Sequence, residues 1–224
     1  MAFPRNKKIT RVFDLVALML ALAPIFGCSS APSKPANGKS GAAQTANAAA
    51  NSAGFDIDLN CVIRHIQSPP ESFHYSLRDV SENPWQEDAD ITPQNIDGSF
   101  MNNSLPGPQQ FHGPPRQVSS NLMAIGRMAS IFSTLHMTAA VINQGAEKKN
   151  GYDTVKYSID TARGNSAEQR LFNSVFGPGG FEKGNVWVTS EGCPVQIVLD
   201  EEIHGKDGSP AGKAHYEEAM IRKQ

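Results

Sequence analysis

Asn150-Gly151, set between two runs of extended-favouring residues, restricts this chain more than any other feature it carries. Both central residues of a two-residue hairpin turn need positive φ, which Asn and Gly tolerate best, so the flanking runs 138–147 and 152–160 must return on each other as antiparallel strands. On the second run Val155, Tyr157 and Ile159 share one face while Lys156 and Ser158 take the other. That alternation gives the sheet a wet side and a buried side.

The same period recurs elsewhere. Phe73, Tyr75 and Leu77 alternate with His74, Ser76 and Arg78, and further short extended candidates span 85–92 and 96–101. Near the end, 186–189, 194–200 and 213–221 are separated by Glu191-Gly192 and Lys206-Asp207-Gly208, which predicts three strands joined by polar turns. Cys193 opens a strand on which Val195, Ile197 and Leu199 point together. Helical spacing is rarer. Leu59, Val62, Ile63 and Ile66 stand at i, i+3, i+4, i+7 behind Asp56 as the cap, and Pro69-Pro70 stops them. Leu122, Ile125, Ala129, Phe132 and Leu135 predict a second helix beginning after Ser119 or Ser120, and a short third one spans 166–176 before Gly177-Pro178-Gly179-Gly180. The four prolines and two glycines of 102–117 predict a loop with no regular element. The class is α+β. A strongly curved antiparallel sheet, an open half-barrel with both longer helices on its concave face, satisfies every apolar stripe and leaves a hollow.

This order, together with the hairpin Glu147-Lys148-Lys149-Asn150-Gly151-Tyr152-Asp153-Thr154-Val155 and with Gly184-Asn185-Val186-Trp187-Val188 followed by Gly192-Cys193-Pro194-Val195, resembles the LolA/LolB and LppX/LprG group of bacterial lipid-carrying proteins. The resemblance is one of pattern and covers about residues 55–221. It implies a half-barrel lidded by helices that encloses an acyl chain, each buried CH₂ contributing about 0.8 kcal/mol. Inward strand faces and helix stripes then nominate Phe73, Tyr75, Leu77, Phe132, Leu135, Tyr157, Trp187 and Ile197 as lining residues, each of which is equally at home in a plain core.

The first 28 residues are expected to be a lipoprotein signal peptide. Arg5, Lys7, Lys8 and Arg11 precede an apolar run over 15–26, too short for the roughly 20 residues that span a bilayer. Ile25-Phe26-Gly27-Cys28 then resembles a bacterial lipobox, with bulky Phe26 where Ala or Ser is usual, so Cys28 is the expected lipid anchor to the membrane. Residues 29–54 are almost all Ala, Ser, Asn, Gly, Pro, Gln and Thr and read as a tether. Gly38-Lys39-Ser40 lacks the earlier glycine and the preceding strand that a phosphate loop needs. Ser29 after the cysteine favours the outer membrane, facing the periplasm, in a two-membrane bacterium.

The remaining stretch, 55–224, is long enough for one domain burying about 70% of its unfolded surface. Without the leader the chain holds 16 basic against 21 acidic residues, a net of −5, which disfavours a nucleic-acid partner. With Cys28 acylated, Cys61 and Cys193 are left as an even pair in an exported domain, either bridged or two buried thiols. A bridge closing that loop stabilises by roughly 4 to 5 kcal/mol on the chain-entropy account.

Catalytic chemistry is hard to find. The histidines at 65, 74, 112, 136, 204 and 215 include no i, i+4 pair for a metal, and His74 and His215 read as the polar members of alternating strands. Asp56/Asp58 reads as a helix start, and Asp88/Asp90, Glu201/Glu202 and Glu217/Glu218 as turn or solvated-strand residues. No Gly-x-Ser-x-Gly elbow occurs. The expectation is a non-enzymatic chain without cofactor or metal that binds a lipid or acyl ligand. The alternative is a structural or interaction lipoprotein that docks an unknown protein partner through its sheet or its Pro-rich loop.

Overall fold

The computed structural model describes residues 57–122 and 139–223, all within one compact unit of the chain. The order is α1 (Leu59–Gln67), β1 (Phe73–Val80), β2 (Trp85–Ile91), β3 (Ile96–Asn102), β4 (Gln109–Gly113), α2 (Pro115–Val118), β5 (Val141–Lys149), β6 (Tyr152–Asp160), α3 (Ser166–Phe176), β7 (Phe181–Thr189), β8 (Pro194–His204) and β9 (Pro210–Arg222). Single 3₁₀ turns follow α2 (Ser119–Asn121) and β6 (Thr161–Arg163). The strands form one open antiparallel sheet in the order β4-β3-β2-β1-β9-β8-β7-β6-β5.

Two meanders, β1 to β4 and β5 to β9, meet at one seam. There β1 pairs with β9 from Phe73 opposite Arg222 to Val80 opposite His215. The β5–β6 hairpin turns at Asn150 (φ 55°) and Gly151 (φ 86°), the two positive values its sequence prescribes.

Cross-strand neighbours point to the same side of a sheet, so the register sorts every strand residue onto one of two faces. On one face lie Phe73, Tyr75, Leu77, Ile91, Ile96, Tyr157, Ile159, Val186, Ile197, Leu199, Tyr216 and Met220, all buried. Cys61, Val62 and Ile66 of α1 and Phe172 and Phe176 of α3 join them in one continuous apolar cluster. This is the covered face. Burying a side chain of this size stabilises by about 1.5 to 3 kcal/mol. The helices carry strong local signals. Asp58 caps α1 by accepting the Cys61 N–H (3.2 Å). In α3, Asn165 accepts the N–H groups of Ala167 and Glu168 while Glu168 accepts the Asn165 N–H (2.8 Å), a closed capping box.

Two expectations need correcting. The cap of α1 is Asp58, two residues later than expected. The Pro-rich stretch is not structureless, since it holds β4 and α2. Its prolines flank these elements instead of interrupting them: Pro106 and Pro108 precede β4, and Pro115 occupies the first turn of α2, where no N–H is needed. Phe111 of β4 lies across Gly98, where a Cβ would fall 2.6 Å from its ring, so the pairing of β4 with β3 gains an aromatic cover. The first meander therefore has four strands. The helix expected after Ser120, with Phe132 and Leu135, falls on 123–138 and lies outside the described residues, as does Cys28.

Candidate functional site

Register places five carboxylates on the covered face, among the apolar side chains. Glu218 of β9 stands opposite Leu77, which in turn faces Glu87 of β2. The Glu218 carboxylate accepts the Tyr75 hydroxyl (2.6 Å) and the Tyr216 hydroxyl (2.7 Å), and the Trp85 indole donates to Glu87 (2.7 Å). Burial, reinforced by the Glu218 charge, pushes both tyrosine hydroxyls well above their ordinary pKa. Farther along, Glu182 of β7 sits opposite Glu201 of β8, with Asp79 close enough to act on Glu201 through its charge. Burial, followed by its neighbour's charge, raises Glu182 well above the usual carboxylate range, and burial raises Glu201 as well. The proton that Glu182 keeps is shared in a side-chain hydrogen bond with Glu201, which this contact pulls downward against its burial.

These acids correct the sequence reading, which put Glu201 and Glu218 on solvated positions. The signal was present in the alternation: Glu218 lies two residues from Tyr216 and Met220, and Glu201 two residues after Leu199. The pattern of facing outweighs the charge of the side chain.

A cavity of about 280 Å³ opens beside the covered face. Val155, Tyr157 and Val188 supply its apolar wall, and Asp58 with Thr189, Ser190, Glu191 and Gly192 supplies a polar mouth. Asp58 and Gly192 are tied by a backbone hydrogen bond of 2.8 Å, which fixes the start of α1 against the β7–β8 turn. Burial raises the Tyr157 hydroxyl pKa. Beside the same turn, a disulfide joins Cys61 of α1 to Cys193, with Cα atoms 5.4 Å apart.

Among the nominated lining residues, Tyr157 reaches this cavity. Phe73, Tyr75, Leu77 and Ile197 are packed into the apolar cluster with α1 and α3, so they serve as core. Trp187 is a correction of another kind. It faces the opposite side of the sheet from Val186 and Val188, packing with Tyr152 and Val195 in a separate small cluster. There its indole donates to Glu147, and Lys149 and Lys156 approach its ring to 4.5 and 5.1 Å. A register shift between Trp187 and Val188 brings Val195 into this outer cluster.

The outer face is polar. His74 contacts Asp90 (2.9 Å) and Asp88 (3.3 Å), His112 contacts Asp97 (3.0 Å), and His215 contacts Asp200 (2.8 Å). A cleft of about 450 Å³ runs over this side, bordered by Ser76, Arg78, Gln86, Asp88, Ser99 and Glu217, with Pro108 from the Pro-rich stretch.

The chain matches no protein-family model and no curated protein. Among solved structures it is similar to the crystal structure of the lipoprotein LppX of Mycobacterium tuberculosis, at 15% identity and a TM-score of 0.28, over 66% of this chain and 84% of that one.

Proposed function

We propose that this chain is an exported envelope protein that binds a hydrophobic ligand, a lipid or acyl chain, against the covered face of its sheet and does no chemistry on it. The observation that carries this reading is the cavity whose wall is Val155, Tyr157 and Val188 and whose mouth is Asp58 and the 189–192 turn. An apolar wall behind a polar rim suits an amphiphile, and about 280 Å³ lies near the roughly 300 Å³ at which ligand cavities begin. Curvature toward the covered side is supported at Gly184, where a Cβ would fall 1.9 Å from the Val198 carbonyl oxygen. The disulfide accords with an oxidising compartment, and the lipobox-like leader with a membrane anchor at Cys28 and an outer-membrane position.

Native mass spectrometry of the chain after incubation with phospholipid vesicles tests it. Lipid adducts are expected on the wild type and a marked loss of them in Val188→Trp, which fills the cavity. Wild-type protein that carries no lipid at saturating vesicle concentration rejects the proposal.

The second reading, a docking surface for a protein partner, is favoured by the larger cleft on the outer face, whose border mixes charged side chains with Phe100, Met101 and Pro108. A partner retained on the washed wild type and lost with Arg78→Glu, alongside no bound lipid, selects that reading.

A further inference from the structure

Cys61 and His65 stand four residues apart on α1, so one helical face presents both side chains together. Cys193 arrives from the start of β8 and bonds to Cys61, which seats His65 against both sulfurs. Its Nε2 is 3.9 Å from Cys61 Sγ and its Nδ1 is 3.7 Å from Cys193 Sγ. One donor atom from each of the three residues fits within 4.8 Å of the others. Tetrahedral zinc, with Zn–S of about 2.3 Å and Zn–N of about 2.0 Å, sets its ligand atoms roughly 3.5 to 3.8 Å apart. The two distances run through different ring nitrogens, so for one nitrogen to serve as ligand the imidazole must turn as the two sulfurs move apart.

We propose that Cys61, His65 and Cys193 form a redox-gated site for a thiophilic divalent cation of the zinc type, closed while the disulfide is intact and open once it is reduced. Opening consumes two electrons and two protons. A thiolate of a reducing dithiol attacks one sulfur, the S–S bond breaks, and the dithiol leaves as its own disulfide, with both chain sulfurs ending as thiols. Metal binding then expels both thiol protons, giving two thiolates and one imidazole on the ion. With three protein ligands the fourth position is left to solvent.

The surroundings favour this role. Both cysteines are nearly fully buried and His65 is half-buried. The cavity beside the covered face borders the site through Gly192, next in sequence to Cys193, and Asp58, which accepts the Cys61 N–H.

The test uses the full chain carrying Cys28→Ser, so that the pair supplies the only thiols, with Co²⁺ as the probe. The reduced protein is expected to bind one Co²⁺ with tetrahedral ligand-field bands and thiolate charge transfer, and the oxidised protein none. His65→Gln should weaken binding by at least roughly tenfold, the lower end of what losing even an outer partner of a metal ligand costs. If reduction unfolds the chain, Co²⁺ should refold it, read by far-UV circular dichroism, because a site formed only in the fold couples metal to folding. The proposal is overturned by a reduced chain without these bands, by equal binding in the oxidised chain, by unchanged affinity in His65→Gln, or by a reduced, unfolded chain that metal does not restore.

Discussion

Replacing Glu182 by Met should make this protein more stable, and more so as the pH rises. Glu182 is 1% exposed, and its cross-strand neighbour and hydrogen-bond partner is another acid, Glu201. A folded state that raises the pKa of an acid keeps a proton which the unfolded chain releases near its ordinary value of 4.5. Stability is therefore undiminished below that value and is lost as the pH climbs toward the folded pKa. A buried acid whose partner is a second acid costs on the order of 1 to 3 kcal/mol once the pH favours ionisation, and an apolar side chain of similar shape removes that cost. Glu182→Met should accordingly gain about 1 to 3 kcal/mol at pH 8, or roughly 3 to 9 °C in Tm for a domain of this size. Near pH 3 the gain should shrink below about 1 kcal/mol, since the pair then holds its protons in both states. Urea melts at the two pH values measure this directly. An equal effect at both, or a loss exceeding about 1 kcal/mol at pH 8, would refute the account of Glu182 as an unrelieved buried acid.

Tyr75→Phe removes one of the two hydroxyls that the Glu218 carboxylate accepts, and should cost about 1 to 3 kcal/mol in urea unfolding, with a non-additive double variant alongside Tyr216→Phe. Phe172→Ala empties the α3 side of the core and should cost about 3 to 5 kcal/mol by thermal melting. Asn150→Ala forces a β-carbon-bearing residue without local side-chain bonding to hold φ 55°, and also deletes the amide bond to the Val195 carbonyl (3.1 Å). A loss of about 1 to 2 kcal/mol with an unchanged far-UV spectrum is expected. Reducing the disulfide in the absence of metal should lower stability by about 2 to 5 kcal/mol, measured as a shift of the urea midpoint.

What could be read from the chain divides along a physical line. The β5–β6 turn, the α3 helix and the last three strands were legible because their determinants are local: positive-φ residues at a turn, a helical stripe ending at Phe176, period-two runs between polar turns. Strand β4 was hidden because its partner and its aromatic cover, Phe111 over Gly98, are tertiary facts that proline content obscures. Trp187 sits in an unbroken apolar triplet, Val186-Trp187-Val188, in which all three residues are buried, so alternation could not say which side it takes. The site was the least legible part. Charged residues were assumed to be wet, although Glu182, Glu201 and Glu218 occupy inward register positions. Cys61-x-x-x-His65 pairs the imidazole with a thiol, so a spacing of two histidines does not reveal it.

The seam between β1 and β9 has a consequence in time. The strand that unites the two halves of the molecule is Pro210–Arg222, thirteen residues that leave a ribosome or a translocation pore after the eight other strands. Until they emerge, the first four strands have an open flank at β1 and the later ones an open flank at β8, and neither half can be stitched to the other. The two halves thus wait for each other until the ninth strand arrives. A chain cut before Pro210 would release two ragged half-sheets prone to sticking to each other's neighbours.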